Sequence, residues 1–316
     1  MNAPLCFVGI DVSKERCEVA VDGQTQTRVF PADEPGLAEL AAWMKSLGPT
    51  LIAMEATGGW ETPFLRTLQQ QGLPVAVVNP RQIRDFARAM NRLAKTDRID
   101  ALVIARFAAL MQPNPAEIPG ENQEKLQALQ TRRQQVVDSL TQEKNRLATT
   151  RDLAIQRRIQ QVIDLYDEQL QDLNRELAQC MQANPQLQQQ AELLTSVPGI
   201  GAVTAHALLV EMPELGRLNR RQAARLAGLA PLNRDSGKFR GTRRISGGRT
   251  PVRRALYMAT LVATRHNQRI REHYQHLLQQ GKKKLVALVA CMRKLLGILN
   301  TMLKNQQPWR QIEKTT

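Results

Sequence analysis

The sequence is poor in aromatic residues and in cysteine. Aromatic residues make up 4% of a chain that is 42% hydrophobic, so its cores must be built mostly from Leu, Val, Ala and Ile. Such cores favour helical and α/β packing over an all-β sandwich. The four cysteines are scattered, without a CxxC pair or a Cys/His cluster, which argues against a zinc site and a disulfide framework.

Long apolar runs and a leader segment are also lacking. The sequence has no run of apolar residues long enough for a membrane span, and its N-terminus lacks a basic region followed by an apolar one. We therefore expect a cytoplasmic protein. The C-terminal stretch "GKKKLVALVACMRKLLGILNTML" predicts a basic amphipathic helix, and we expect its apolar face to pack on its own domain rather than on a membrane surface.

Acidic residues are too few to balance the basic ones. The chain has 44 Lys and Arg against 29 Asp and Glu, a formal net charge of +15. Such a charge indicates a polyanionic partner, because the release of counterions from a phosphate backbone drives association. Nucleic acid is the partner we expect, and a membrane surface is the weaker alternative.

The 316 residues divide into three predicted parts. Residues 1–115 alternate strand-like and helix-like stretches in the order β-β-β-α-β-α-β-α, which predicts an α/β domain with a mixed sheet. Residues 120–190 carry apolar residues at three- and four-residue spacing, which predicts a coiled-coil helical hairpin that mediates self-association, with a plain helical spacer as the alternative. Residues 191–316 predict a mainly helical C-terminal domain.

Four acidic residues of the first part predict a metal site. Asp11 ends the first predicted strand and Glu55 the fourth, and strand ends of this kind gather in the ligand crevice of an open α/β sheet. Asp97 and Asp100, in "KTDRIDALVIARF", lie on one helix face. Carboxylates without Cys or His suit Mg²⁺ or Mn²⁺, and a pair of such ions suits displacement at phosphorus. Each acid taken alone is equally well explained as a turn or helix-start residue.

The C-terminal part carries two features expected to contact nucleic acid. "SVPGIGAVTAHALLVEM" resembles a helix-hairpin-helix, in which the backbone amides around Gly199 and Gly201 face a phosphate; an ordinary Pro-Gly turn is the alternative. Residues 217–254 contain twelve Arg or Lys and one acid, with Ser236 and Ser246 predicted in exposed loops. The side chains expected to meet phosphates are Lys95, Arg98, Lys238, Arg240, Arg243 and Arg244.

The motifs "GIDVSK", "AMEATGGW" and "AKTDRIDA" resemble the D-E-D-D pattern of the RuvC-like domain in a family of bacterial insertion-sequence transposases, the Piv-like recombinases. "LAGLAPLNRDSGKFRGTRR" is similar to the serine-bearing transposase domain of that family. The resemblance implies a RuvC/RNase H-like fold for residues 1–115 and a nucleophilic serine. By its position after "GLAP" that serine is Ser236, and Ser246 ranks second. The residues implied as catalytic and metal-binding are Asp11, Glu55, Asp97 and Asp100.

The same resemblance implies a metal-dependent transposase or site-specific DNA recombinase. Its partners would be donor and target DNA, a guide non-coding RNA encoded by the element, and further copies of itself in a dimer or tetramer. Composition and spacing alone do not show the RNA.

Three other functions fit part of the sequence. A Holliday-junction resolvase would use the same acids with water as the nucleophile. A sugar-kinase or actin-like ATPase is suggested by "GIDVS", but Lys14, Glu15 and Arg16 follow where a Gly-rich turn is needed. A non-catalytic architectural DNA-binding protein would explain the Arg-rich region and leave the four acids without a purpose.

Overall fold

The computed structural model of the protein describes residues 5–92, 94, 96–116, 120–233, 235–236, 239–241 and 243–310. The chain divides into two compact units, Met1–Pro119 and Gly120–Thr316, and each is described by itself. The predicted division into three parts stays a prediction.

The first unit is built on a five-stranded mixed sheet with the strand order β3-β2-β1-β4-β5. Its elements are β1 (Phe7–Val12), β2 (Arg16–Val21), β3 (Thr27–Pro31), α1 (Glu34–Leu47), β4 (Leu51–Glu55), α2 (Glu61–Gln70), β5 (Val75–Val78), α3 (Pro80–Ala89) and α4 (Asp97–Met111). The first three strands pair antiparallel, whereas β1, β4 and β5 run parallel. The predicted mixed sheet is confirmed, and the last predicted helical segment forms two helices.

Alternate side chains of β1 and β4 enter two different cores, because successive residues of a strand face opposite sides of the sheet. The even-numbered residues, such as Ile10 and Met54, pack with α1 and α2. The odd-numbered residues, such as Phe7 and Ala53, pack with α3 and α4. This alternation determines the face on which any functional side chain of these strands must lie.

Gly9 allows α4 to lie directly on β1. A Cβ atom at Gly9 would stand 2.1 Å from the backbone nitrogen of Ala105 and 2.4 Å from the carbonyl oxygen of Ala101. The helix begins at a Thr96 cap, whose side chain accepts a hydrogen bond from the Ile99 amide at 3.2 Å. Small residues on both sides therefore bring the start of α4 close to the sheet.

The second unit is mainly helical, as predicted, with two short antiparallel strand pairs that the sequence did not indicate. Its elements are α5 (Glu121–Thr149), α6 (Leu153–Gln182), α7 (Pro185–Thr195), α8 (Ala202–Glu211), α9 (Arg220–Leu226), β6 (Pro231–Leu232), β7 (Asp235–Ser236), β8 (Phe239–Arg240), β9 (Arg244–Ile245), α10 (Thr250–His266), α11 (Gln268–Gln279) and α12 (Lys284–Asn305). Strand β6 pairs with β9, and β7 pairs with β8.

Helices α5 and α6 form an antiparallel pair joined by residues 150–152. Arg133 donates to Asn174 at 2.7 Å, and Lys144 lies 3.7 Å from Asp167, so the partners on the two helices run in opposite directions. Leu126 of α5 and residues near the end of α6 belong to the core of the second unit. The coiled-coil character of the pair and its role in self-association stay predictions.

Helix α12 lies in the core of the second unit. Its residues Cys291, Leu295 and Leu299 are fully buried in this core, and the helix contacts α7, α9, α10 and α11. Among the described residues, this is the one helix long and apolar enough to cross a membrane by length and composition, and 61% of its apolar window is buried inside the fold. The expectation that its apolar face packs on its own domain is confirmed.

Candidate active site and nucleic-acid interface

The pairing of β1 with β4 determines the relative position of two of the four predicted carboxylates. These strands are parallel neighbours, with Ile10 opposite Met54, so Asp11 and Glu55 occupy the next position in register. Both have the odd-numbered parity that faces α3 and α4. The condition on which the sequence argument depended, that the first and fourth strands are neighbours, is therefore met.

The other two carboxylates lie at the first turn of α4, and two ion pairs fix the direction of that helix. Arg16, at the start of β2, lies 3.1 Å from Asp97, whereas Asp22, just past the end of β2, lies 3.1 Å from Arg106. Since β2 is antiparallel to β1, α4 also runs antiparallel to β1. Its first turn, which includes Asp100, therefore lies at the carboxyl end of β1, the end that carries Asp11.

The four carboxylates share one end and one face of the sheet, accessible to solvent. Asp97 is exposed, and Asp11, Glu55 and Asp100 are partly buried. Within the part of the chain that the structure describes, no group of three or more His, Cys, Asp or Glu side chains is arranged to hold a metal ion. The donor chemistry, oxygen only, nevertheless fits a hard divalent cation, which would offset the mutual repulsion of the acids. The assignment as metal ligands stays a prediction.

Arg16 is a neighbour of this site that the sequence pattern did not reveal. Its carbonyl oxygen accepts hydrogen bonds from the amide and the hydroxyl of Ser13, at 2.9 and 2.7 Å, which fixes the turn between β1 and β2. Its guanidinium donates a hydrogen bond to the carboxylate of Asp97 in α4. No sequence signal marks this pair, because it depends on how closely α4 packs on β1.

Glu61 organises the loop that follows Glu55. Its carboxylate accepts hydrogen bonds from the Thr57 amide at 3.0 Å, the Thr57 hydroxyl at 3.1 Å and the Gly59 amide at 2.8 Å. Burial alone would raise the pKa of Glu61, but hydrogen bonds from its own amide, Gly59 and Thr57 outweigh burial, so its pKa is lowered. A charged Glu61 thus orders the segment directly after a candidate catalytic strand.

The two cations predicted beside the acids have different outcomes. Lys95 lies outside the described residues. Arg98 is exposed and donates to the carbonyl oxygen of Thr25 at 2.9 Å. Its predicted contact with a DNA phosphate would have to replace or accompany this hydrogen bond.

The second unit contains a cleft of about 1240 Å³ between α5, α8, α10, α12 and the β6–β9 pair. The predicted phosphate-binding residues Arg243 and Arg244 line it and are exposed. Other cations that line it are Arg133, Arg253, Arg254, Lys282 and Arg293. Its walls also include exposed apolar side chains, among them Met258 and Leu285. The cleft therefore combines a basic lining with an apolar surface.

Ser236 is exposed, as predicted, but it does not lie in an open loop. It ends the two-residue strand β7 and pairs with Phe239 of β8. The reason is local: the antiparallel pairing of β7 with β8 satisfies backbone groups that an open loop would leave to water. Gly237 and Lys238 lie outside the described residues, as does the side chain of Arg240.

Ser246, the second candidate nucleophile, is also exposed. It precedes Gly248, where a Cβ atom would stand 2.1 Å from the backbone nitrogen of Gly228. Gly248, two residues after Ser246, therefore has a packing reason that is independent of catalysis.

Comparison with known proteins decides the family. Residues 8–156 match the model of IS110-type DEDD proteins, described as "Transposase", and residues 191–275 match the model described as "Transposase IS116/IS110/IS902 family". The two matches include all four carboxylates and both candidate serines. The chain belongs to the IS110 family of transposases. The resemblance read from the motifs is confirmed.

Full-length relatives support this membership. The chain is 27% identical to the "Pilin gene-inverting protein" of Moraxella bovis and 26% identical to that of Moraxella lacunata, in each case over 96% of this chain and 97% of the relative. It is 32% identical over 36% of its length to the "Insertion element IS900 uncharacterized 42 kDa protein" of Mycobacterium paratuberculosis, of which 30% is covered. Membership implies DNA as a substrate and strand cleavage and rejoining as the class of reaction.

The segment of this IS110-family chain that resembles a helix-hairpin-helix places its two glycines in different surroundings. Gly199 has φ of 102°, and a Cβ atom there would stand 2.8 Å from the backbone nitrogen of Ala263 in α10. Packing against α10 therefore already requires a glycine at this position. Gly201 is exposed at the start of α8, and space around it is open, so it remains the better candidate for phosphate contact.

His206, Cys17 and Cys291 are poorly suited to catalysis where the structure places them. Burial lowers the pKa of His206, which is partly buried in α8, as expected for a packing residue. All four cysteines are free thiols. Burial raises the pKa of Cys17 to about 12 and that of Cys291 to about 11, which leaves almost no thiolate near neutral pH.

Proposed function

We propose that this IS110-family protein is a metal-dependent site-specific DNA recombinase that moves or inverts a DNA segment with a serine nucleophile. The observation that supports the proposal is that Asp11 and Glu55 follow the paired residues Ile10 and Met54 of two parallel strands, with the first turn of α4 at the same end of the sheet. The inverting activity named for the Moraxella relatives agrees with it.

The carboxylates Asp11, Glu55, Asp97 and Asp100 would hold Mg²⁺ or Mn²⁺. When bound, such an ion neutralises the acids and polarises a phosphodiester oxygen. The chain itself contributes a fixed geometry: the contact at Gly9 holds α4 against β1, and the carboxylate of Glu61 orders the loop after Glu55. A site set on rigid elements in this way positions a phosphate more accurately than one on free loops.

Ser236 would carry the covalent step. Its hydroxyl oxygen attacks phosphorus, a phosphoserine ester forms, and the bond from phosphorus to the leaving sugar oxygen breaks. The serine proton ends on that sugar hydroxyl, and rejoining reverses the exchange with a new strand end. One phosphoester bond replaces another, so the bond energy is conserved without an external energy source. Free serine is a poor nucleophile, and a metal held by Asp11, Glu55, Asp97 and Asp100 would supply the activation that it needs.

The basic cleft of the second unit is the proposed contact for nucleic-acid phosphates. Its lining by Arg243, Arg244 and neighbouring arginines supports this role, since guanidinium groups bind phosphate bidentately. The nucleic acids we propose are donor DNA, target DNA and an element-encoded guide RNA that pairs with them. We propose that the catalytically active form is a dimer or tetramer.

The metal site is tested by four single substitutions: Asp11→Asn, Glu55→Gln, Asp97→Asn and Asp100→Asn. Each should reduce strand cleavage at least about 100-fold, because a group that stabilises transition-state charge is lost, while nucleic-acid binding stays nearly unchanged. Asp85→Asn, which removes an exposed acid of α3, is the matched control and should cleave normally. Full recombination by any of the four variants would refute the assignment of that residue.

The nucleophile is tested by trapping. A nicked suicide DNA substrate should leave a covalent adduct on the wild-type protein that mass spectrometry maps to the peptide containing Ser236, and Ser236→Ala should abolish it. An adduct at Ser246 would move the nucleophile to that residue. Cleavage without any adduct would favour a water-using resolvase.

A further inference from the structure

Trp60 exposes half of its surface, 50%, in the loop that follows Glu55. Another tryptophan of the same unit, Trp43, stacks on Phe30 with ring centroids 5.5 Å apart and has the guanidinium of Arg28 at 4.8 Å from its ring. A single exposed apolar residue is common on protein surfaces. The exposure of Trp60 is therefore informative only together with its position and the fixed conformation of its loop.

The loop of Trp60 is held in one conformation. The hydrogen bonds from Thr57 and Gly59 to the carboxylate of Glu61 close it, and Gly58 and Gly59 take φ angles of 75° and 113°, which favour glycine. Trp60 comes directly before α2. Its indole is therefore presented by an ordered backbone, which reduces the entropy lost when a ligand stacks on it.

The indole lies at the proposed catalytic end of the sheet. Lys14, in the turn after β1, has its ammonium group 6.0 Å from the centre of the Trp60 ring. Lys14 follows Asp11 beyond the end of β1, and Trp60 follows Glu55 beyond the end of β4. Because β1 and β4 are parallel neighbours, an aromatic plane and a cation stand together just beyond the two strand-end carboxylates.

We propose that Trp60 is a stacking platform for one unpaired nucleobase beside the scissile phosphate, and that Lys14 contacts a phosphate of the same strand. A base face can stack on indole whatever its sequence, and a neighbouring cation adds attraction for the backbone. The base has to be unpaired, since both faces of a paired base are covered in the duplex stack. This inference rests on the proposed function and adds a binding site for a flipped or single-stranded nucleotide to it.

The test is a binding measurement on the full-length protein in EDTA, where cleavage plays no part. The probe is a labelled DNA duplex with a single-stranded gap, in which each gap position in turn is replaced by an abasic site. Trp60→Ala should weaken binding of the intact probe about 10-fold. On the probe whose abasic site removes the stacked base, wild type and Trp60→Ala should bind equally, since the interaction is already lost.

Two further variants separate stacking from folding and charge. Trp60→Phe, which keeps an aromatic face, should restore most of the affinity. Lys14→Gln should lower the dependence of log K on log salt by about 0.7, the value for one phosphate of a single strand. Trp43→Phe, at the tryptophan already stacked within the fold, should bind as wild type.

Three results would contradict a stacking role for Trp60. Equal weakening of intact and all abasic probes by Trp60→Ala, or no weakening, overturns the proposal. A fall in oligomer mass by light scattering without a change in DNA affinity would assign Trp60 to a protein contact instead. Because the readout is binding without cleavage, a failure here is distinguishable from a failure of the proposed recombinase activity.

Discussion

Arg16 places a fixed positive charge on one of the four proposed metal ligands. Its guanidinium pairs with Asp97 at 3.1 Å, and both side chains are more than half exposed, at 57% and 52%. An exposed pair of this kind is weak, about 0.2–1 kcal/mol. A divalent cation with several carboxylate ligands can therefore displace Arg16 at small cost.

This competition predicts that Arg16→Gln strengthens metal binding. The apparent Kd for Mn²⁺ should fall about 2- to 5-fold, the equivalent of losing one exposed ion pair. Isothermal titration of the full-length protein with Mn²⁺ measures it. Arg106→Gln is a matched control, because Arg106 makes the same kind of pair with Asp22, also at 3.1 Å, at the far end of α4. The same fall in the apparent Kd for both variants would show that the effect comes from net charge and not from the pair of Arg16 with Asp97.

Candidate site residues could be proposed where a local pattern or the family resemblance marks them. Asp11 and Glu55 could be proposed because each ends an apolar strand, and Ser236 because its segment resembles the serine-bearing domain of the family. Arg16 and Glu61 could not, since their partners are set by the packing of α4 and by the conformation of a Gly-Gly loop. Such contacts arise only after the elements have docked.

At the level of elements, the contact between β1 and α4 determines whether the site exists. Gly9→Ala would place a methyl group 2.1 Å from the backbone of Ala105, and backbone cannot move aside as a side chain can. We expect a loss of stability of about 3 kcal/mol or more, together with loss of cleavage, because α4 must shift away from Asp11.

Urea unfolding monitored by circular dichroism measures the stability of the Gly9→Ala variant. Gly120→Ala is a suitable control, since Gly120 has an ordinary φ of −63° and nothing lies within 4 Å of an added Cβ. Equal stability of Gly9→Ala and wild type would show that α4 does not rest on β1 in solution.

The helical pair α5–α6 predicts self-association through an exposed apolar stripe. On α6, Ile155, Val162 and Leu165 follow heptad-like spacing and are exposed by 47%, 37% and 51%. The double substitution Val162→Glu with Leu165→Glu should reduce the oligomer mass measured by light scattering, because charged side chains would replace the apolar ones of the stripe. Leu170 and Leu173, the residues the sequence pattern singles out, are partly buried and suit this test less well. An unchanged mass would make the pair an intramolecular spacer.

Regular elements were predictable because hydrophobic period is a local property. Short apolar runs bounded by turn residues identified β1 to β5, and three- and four-residue spacing identified α5 and α6. The pairs β6–β9 and β7–β8 escaped, because two-residue strands are too short to show a period and depend on turns in a Gly- and Arg-rich segment. The nucleophile candidate lies in that segment, so its strand setting could not be foreseen.

The charge of the whole molecule predicts strongly salt-dependent DNA binding. With a net charge of +15 and arginines lining the cleft, each phosphate that is neutralised on a duplex releases about 0.9 of a counterion. The double substitution Arg243→Gln with Arg244→Gln should lower the slope of log K against log salt by up to about 2 and weaken all sequences alike. Fluorescence anisotropy over a salt series measures it. An unchanged slope would remove these arginines from the interface.

The proposed mechanism requires the carboxylates and Ser236 to act on one phosphate, and the assembly decides which chain supplies each. They belong to different compact units, so a complete site can take both from one chain or one from each of two chains. Mixing Ser236→Ala with Asp11→Asn protomers separates the two cases, since neither variant alone has a complete site. When equal amounts of the two variants form dimers at random, half of the dimers contain one chain of each variant. If the site is shared between chains, one of the two sites in each mixed dimer is complete.

Cleavage by the equal mixture should therefore recover to about a quarter of the wild-type level if the site is shared. The subunits must be co-refolded or co-expressed so that they exchange, and cleavage rather than complete recombination is the correct readout, because recombination needs several sites at once. A double variant, Ser236→Ala with Asp11→Asn, mixed with wild type is the control: about a quarter of the sites stay active if the site is shared and about half if it lies within one chain, and the double variant contributes no active site of its own. Activity of the first mixture no higher than that of either variant alone would assign the whole site to a single chain.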